Sequence, residues 1–297
     1  MLSYCIQDVK VTSLLYNKIL KKQFSEDALK MEHDIHTLLI KQQERGIHFD
    51  EEKAKKLYSK LASRKQEIED ELQKVFEPNV IVMKTKTKTT PFNPASRQQI
   101  AGRLKKRGWK PKEFTPCGEA KIDEKILEKI DIPEAELLRE YLMLSKRLGQ
   151  LATGKQGWLK LVKEGKLHGR VNHMGAVTSR CTHSNPNLAQ VPRVGAEYGK
   201  ECRELFSVPN GYVLLGADAT GLELRCLSHF LHRYDDGKYS QELLEGDIHT
   251  ANQKVAGLET RQQAKTFIYA LLYSAGEERI GQIIGRGAKE GRSIKNR

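Results

Sequence analysis

Arg261, Lys265, Tyr269 and Tyr273 recur every fourth residue in the run Arg261-Gln262-Gln263-Ala264-Lys265-Thr266-Phe267-Ile268-Tyr269-Ala270-Leu271-Leu272-Tyr273. On a helix, steps of four drift by about 40° each, so the row stays broadly on one side while winding slowly round. Ala264, Phe267, Ile268, Leu271 and Leu272 supply the apolar remainder. No acidic residue lies between Arg261 and Ala275, which predicts two cations without a local partner. Two such cations followed by two aromatic rings suit a ligand with phosphates at one end and a flat base at the other. The same spacing also describes an amphipathic helix with a solvated basic turn and core tyrosines.

A second pattern is Tyr212-Val213-Leu214-Leu215-Gly216-Ala217-Asp218. The apolar run predicts a buried strand that delivers the Asp218 carboxylate, with a neighbouring backbone carbonyl, to one point. Such a hard-oxygen pair suits Mg²⁺; the competing reading makes Asp218 the cap of the next helix. Gly221 precedes that helix, on which Leu222, Cys226, His229 and Phe230 are expected to share one side. In Gly246-Asp247-Ile248-His249-Thr250, His249 opens a helix and can donate to an anion near its N-terminus. Single histidines are also common structural residues.

The remaining elements must position these groups. Residues 4 to 20 read as a short helix with apolar Val9, Leu15 and Ile19. Helical periodicity then runs from Ala28 to about Phe76, where Leu57, Leu61, Ile68, Leu72 and Phe76 make one apolar stripe. Gly46 interrupts it and Asp50 can cap the second half, which predicts two antiparallel helices joined by a turn. From Val80 to Thr90, lysines alternate with threonines. In a strand that places Lys84, Lys86 and Lys88 on one face, set either along a phosphate backbone or at a solvated hairpin tip. Ser96 to Gly108 reads as a basic helix, a pattern also typical of a solvated face. Helices are expected over Glu134 to Leu151 and Lys155 to Lys163, strands at 167–172 and 212–218, and helices again from Leu222 to Lys295. The fold class is α+β and mostly helical.

The formal charge is +13, an excess that attracts polyanions, nucleic acid foremost. Cys5, Cys117, Cys181, Cys202 and Cys226 are scattered, with no Cys-x-x-Cys pair. That disfavours a zinc ribbon or a disulfide framework and predicts reduced thiols in an intracellular protein. No signal peptide is recognised, and no apolar run approaches the roughly 18 residues of a membrane span.

Together these residues resemble the family A DNA polymerases, those like bacterial polymerase I, and most of all the branch encoded by short-tailed bacteriophages. Asp218-Ala219-Thr220-Gly221-Leu222-Glu223-Leu224-Arg225 resembles the first palm motif, and Arg261 through Tyr273 the nucleotide-binding fingers helix. Thr178-Ser179-Arg180 with Asn185-Pro186-Asn187-Leu188-Ala189-Gln190-Val191-Pro192 resembles a primer-template contact motif, and Arg203-Glu204-Leu205-Phe206 the element before the palm strand. The likeness runs from about Tyr4 to the last residue. It implies a partial right hand: an exonuclease-like remnant over 1–24, thumb helices with a basic tip over 25–155, an incomplete palm over 156–230 and partial fingers over 231–297.

The resemblance also implies roles. Asp218 and the Ala219 carbonyl would bind Mg²⁺; His249, Arg261 and Lys265 would hold the triphosphate of a dNTP. Tyr269 would lie by the sugar, Tyr273 would stack near the templating base, and Glu223 would meet Tyr273 and crowd the sugar's 2′ side. Arg180, Gln190, Lys84, Lys86 and Lys88 would contact primer-template DNA. The family's second metal-binding Asp, in a hairpin after the fingers, has no counterpart after Tyr273. Tyr4-Cys5-Ile6-Gln7-Asp8 resembles only the last exonuclease motif, so no exonuclease activity is expected. Ser179 and Ala270 stand where the family usually has Gly, and Ser274 is a further departure. The insertion by which some phage relatives recruit thioredoxin is not seen. These features imply a polymerase fragment in the host-cell cytoplasm that needs a second polypeptide to complete its palm, or else a non-catalytic DNA-binding remnant.

Overall fold

Leu57, Leu61, Ile68 and Leu72 fall on one side of a helix, and that stripe organises the first part of the chain. In the computed structural model, which describes residues 2–82 and 87–296, two compact units form, Met1–Leu214 and Leu215–Arg297. The first contains α1 (Leu2–Leu20), α2 (Glu26–Arg45), β1 (Ile47–Phe49), α3 (Glu51–Val75), β2 (Asn79–Val82), β3 (Thr87–Thr90), α4 (Arg97–Lys106), α5 (Glu124–Leu127) and α6 (Pro133–Leu148). A π-helical turn (Gly149–Thr153), α7 (Trp158–Leu161), β4 (Lys166–Leu167), β5 (Arg170–Asn172), β6 (Thr182–Ser184), a 3-10 turn (Leu188–Gln190), α8 (Gly199–Arg203) and β7 (Phe206–Ser207) complete it.

Asp50 caps α3 as expected, its Oδ1 accepting from the Lys53 N–H at 2.9 Å. The whole predicted stripe, with Phe76, is buried. It packs with Leu138, Leu144 and Leu148 of α6 in one core, each buried Leu or Ile stabilising by about 2 kcal/mol relative to exposure. Arg64 donates to both carboxylate oxygens of Glu140, at 2.9 and 2.8 Å, at the edge of that contact. The expected antiparallel pair within 28–76 is therefore corrected. β1 intervenes, the main partner of α3 is α6, and α2 leans on β5 with no buried residue of its own. The apolar side of α2 is too interrupted by charge to compete with α6 for the α3 stripe.

β1 is the centre of a three-stranded antiparallel sheet ordered β4-β1-β7. Phe49, Trp158 and Phe206 pack edge-to-face beneath it, with centroids 5.2 to 6.1 Å apart. The expected strand over 167–172 is split: Leu167 belongs to β4 in this sheet, whereas Arg170 opens β5, which pairs with β6. Gly169 lies at the break, where a Cβ would stand 2.8 Å from the Leu188 side chain. In α4 some of the predicted surface cations serve the fold itself. Arg103 donates to the carbonyls of Glu77 and Pro78 and to Asn79 Oδ1, and Arg107 pairs with Glu134 and the Val75 carbonyl. Lys84 and Lys86 lie outside the described residues, as does the side chain of Lys88, whose backbone pairs with Ile81.

The predicted buried strand over Tyr212–Asp218 does not form. The segment is irregular and unpaired among the described strands, with Val213 89% and Leu215 90% exposed. An apolar run records β propensity, but a strand also needs a neighbouring edge, and beside β1 that edge is taken by β7.

The second unit is helical: α9 (Leu222–Asp235), α10 (Lys238–Glu245), α11 (Ile248–Ala256), α12 (Arg261–Leu272), α13 (Glu277–Ile283) and α14 (Ala288–Lys295). Ala264 and Phe267 of α12 pack with Ala256, Leu258, Ile280 and Ile284, while Ile268 packs with Leu224 and Ile248. Leu222, Cys226, His229 and Phe230 do share one side of α9, and it is the exposed one. Leu224 and Ser228 point inward because α11 and α12 cover their side.

Candidate functional site

The cationic row sits on α12, whose start is fixed by a capping box: Thr260 Oγ1 accepts from the Gln263 N–H at 3.1 Å, and Gln263 Oε1 accepts from the Thr260 N–H at 3.1 Å. With Ala264, Phe267 and Ile268 buried, Arg261 and Lys265 are left exposed, Tyr269 half-buried and Tyr273 exposed. The slow winding of the four-residue steps is visible in that sequence of exposures.

One expectation fails here. Arg261 is not unpartnered. Its Nε donates to Asp247 Oδ2 at 2.7 Å and its Nη2 to Oδ1 at 3.0 Å. The partner lies fourteen residues upstream, at the cap of α11, so a search for acids within α12 misses it. The signal available in the sequence was the Asp two positions before His249. The same carboxylate accepts from the His249 backbone N–H at 3.2 Å and from Thr250 Oγ1 at 2.7 Å. Arg261, then Thr250, hold the Asp247 carboxyl far below the usual carboxylate range. Lys265 has no ion pair among the described residues.

His249 is half-buried in the first turn of α11, and its Nδ1 is buried without a hydrogen-bond partner among the described residues. Desolvation, then the charges of Arg261 and Lys265, push its imidazole below the ordinary histidine value. The Arg261–Asp247 pair brings the start of α12 against the turn that bears His249. The N-terminal turns of α11 and α12, Lys265 without an ion pair among the described residues, the outer edge of Arg261 and an imidazole with an unsatisfied nitrogen make a site suited to an anion.

At the other end of α12, Tyr273 donates to the Glu223 carboxylate in the first turn of α9. Asp218 and Ala219, just upstream of α9, are exposed in the irregular segment. No hydrogen bond or ion pair joins Asp218 to α11 or α12 among the described residues, and Asp218 is not a cap, since Gly221 holds that place with φ 60°. No group of three His, Cys, Asp or Glu among the described residues is arranged to hold a metal ion.

Residues 51–297 match the sequence pattern of DNA polymerase family A. The chain belongs to DNA polymerase family A. It is 37% identical to the DNA-directed DNA polymerases of Enterobacteria phage T3 and Escherichia phage T7, in alignments covering 100% of this chain and 55% of each relative. The family A chain thus spans about half the length of these curated relatives. It is 32% identical to the thermostable DNA polymerase I of Thermus filiformis over 56% of its length and 20% of the relative's. Its fold is similar to the polymerase domain of Pol1 from M. smegmatis, solved with DNA primer-template and dNTP. The TM-score is 0.67 at 21% identity, covering 87% of this chain and 45% of that one.

The other expected site residues of the family A chain lie in the first unit. Arg180 is exposed and follows Ser179, whose φ of 57° is left-handed. Gln190 is exposed at the end of the 3-10 turn, its carbonyl accepting from Gln150 Nε2 at 3.0 Å. No described helix is long and apolar enough to cross a membrane.

Proposed function

We propose that this chain supplies the nucleotide-binding part of a template-directed DNA polymerase that adds dNTPs to a primer 3′ end. The observation that carries the reading is the grouping of His249, Arg261 and Lys265 at the joined starts of α11 and α12, with the Glu223–Tyr273 contact at the other end of α12. Arg261 and Lys265 hold the triphosphate and neutralise the charge that grows on the leaving pyrophosphate. His249 donates to a phosphate oxygen, Tyr269 lines the sugar, Tyr273 stacks near the templating base, and Glu223 crowds the 2′ position. Arg180, Gln190 and the lysines at 84, 86 and 88 grip primer-template DNA. In this reading 1–24 is an exonuclease-like remnant, 25–155 the thumb, 156–230 part of the palm and 231–297 part of the fingers.

Asp218 and the Ala219 carbonyl are the oxygens that would hold Mg²⁺, which would stabilise charge in phosphoryl transfer. One carboxylate does not hold the two ions that in-line displacement uses. The second carboxylate is proposed to lie outside residues 1–297, on further chain or on another polypeptide. Co-expression with the C-terminal half of a phage-type polymerase is expected to give primer extension that Asp218→Asn abolishes. Extension that survives Asp218→Asn overturns the assignment.

The net charge of +13 favours a second reading, a non-catalytic primer-template binder. It predicts salt-sensitive DNA binding with no tightening when the matched nucleotide is added, and measured tightening counts against it.

A further inference from the structure

Asp247 makes more polar contacts than a helix cap needs. One oxygen pair accepts from the His249 backbone, the Thr250 hydroxyl, and two nitrogens of Arg261. A cap requires only the first of these. The Arg261 contact is side-on, through Nε and Nη2, which fixes the plane of the guanidinium and leaves Nη1 with no protein partner among the described residues. A guanidinium presents five N–H donors in a rigid fork, so holding one edge aims the other. Arg261 is more than half exposed at the first position of α12 and would otherwise sample many rotamers.

We infer that Asp247 is a positioning residue for the triphosphate. It locks Arg261 by one edge so that the opposite edge, with Nη1, meets the phosphates, and by the same carboxylate it ties the His249-bearing turn of α11 to the start of α12. The inference rests on the nucleotide-binding role proposed above and adds a residue that touches no substrate atom itself. The negative charge of Asp247 opposes polyphosphate binding, and orientation of Arg261 outweighs it. Removing the carboxylate charge therefore weakens the nucleotide instead of strengthening it.

The test is a double-mutant cycle on the full chain, read as the affinity for dATP with Mg²⁺ by calorimetry. Asp247→Asn keeps a side chain that caps helices as well as Asp does, and thermal melts of each variant confirm that α11 remains folded. Asp247→Asn is expected to weaken dATP by about tenfold, a typical effect of a residue that orients a ligand-binding group. In an Arg261→Ala background the same change is expected to do almost nothing, because its effect runs through Arg261. An equal loss in both backgrounds overturns the inference, and so does tighter binding by Asp247→Asn. Either result leaves the nucleotide-binding reading standing if Arg261→Ala and Lys265→Ala weaken dATP. A wild-type chain that binds no dATP sinks both.

Discussion

Tyr273, at the C-cap of α12, donates its phenolic hydroxyl to the carboxylate of Glu223 in the first turn of α9. The contact ties the aromatic end of the cationic row to the segment that follows Asp218. Both side chains border solvent, so Tyr273→Phe is expected to cost no more than about 1 kcal/mol in urea unfolding. On the role proposed for Glu223, and with the palm completed by co-expression, Glu223→Ala should lower the preference for deoxy over ribo substrates by roughly tenfold or more, measured as a ratio of kcat/KM. An unchanged ratio would remove Glu223 from the sugar side of the site.

His249 gives a pH dependence with a definite sign. Its folded-state value lies below the ordinary histidine value because of desolvation and the cations Arg261 and Lys265. On acidification the unfolded chain therefore takes up this proton first. The contribution to stability is complete above about pH 6.5 and is lost as pH falls through the folded-state value. In the role proposed for His249, a bound triphosphate would reverse the shift, so that binding draws in a proton. Affinity for dATP with Mg²⁺ is expected to rise as pH falls from about 7.5 toward 6, and to rise less in His249→Gln. Calorimetry in two buffers of different ionisation enthalpy measures the proton uptake; equal uptake in both proteins would refute the role.

Gly221 holds a left-handed φ of 60°, and a Cβ there would meet nothing within 4 Å. The cost of Gly221→Ala is thus one of backbone conformation, about 1 kcal/mol. Ser274 already bears that strain at φ 55°. Ser274→Gly relieves it but adds chain entropy on unfolding, for a net change within about 0.5 kcal/mol. Thermal unfolding of the pair checks both values, and a neutral Gly221→Ala would show that the turn re-forms differently.

Leu61 is fully buried between α3 and α6, whereas Leu38 of α2 is 63% exposed. Leu61→Ala should destabilise by about 3 kcal/mol and Leu38→Ala by less than about 0.5 kcal/mol. Similar shifts in the urea midpoint for both would mean that α2 is packed in solution.

Local signals were legible in the sequence. The stripe on α3, the Asp50 cap, the basic helix α4 and the cationic row of α12 all follow from residue spacing. What escaped depends on contacts between distant segments. The Tyr212–Leu215 run looks like a strand but finds no pairing edge among the described strands. The inward side of α9 is chosen by Ile248 and Ile268, not by α9 itself. Asp247 escaped because a helix-by-helix search for charge partners stops at the helix boundary, and its carboxylate reaches across one.

The use of Arg103 and Arg107 on backbone carbonyls and Glu134 changes what the net charge of +13 means. Binding to a polyanion gains free energy by freeing condensed counterions, close to one per phosphate neutralised. Those counterions sit on the polyanion, and a guanidinium turned into its own fold, as Arg103 is toward carbonyls and Arg107 toward Glu134, is not placed to displace them. The slope of log affinity against log salt should therefore report a grip on fewer phosphates than a tally of basic residues suggests.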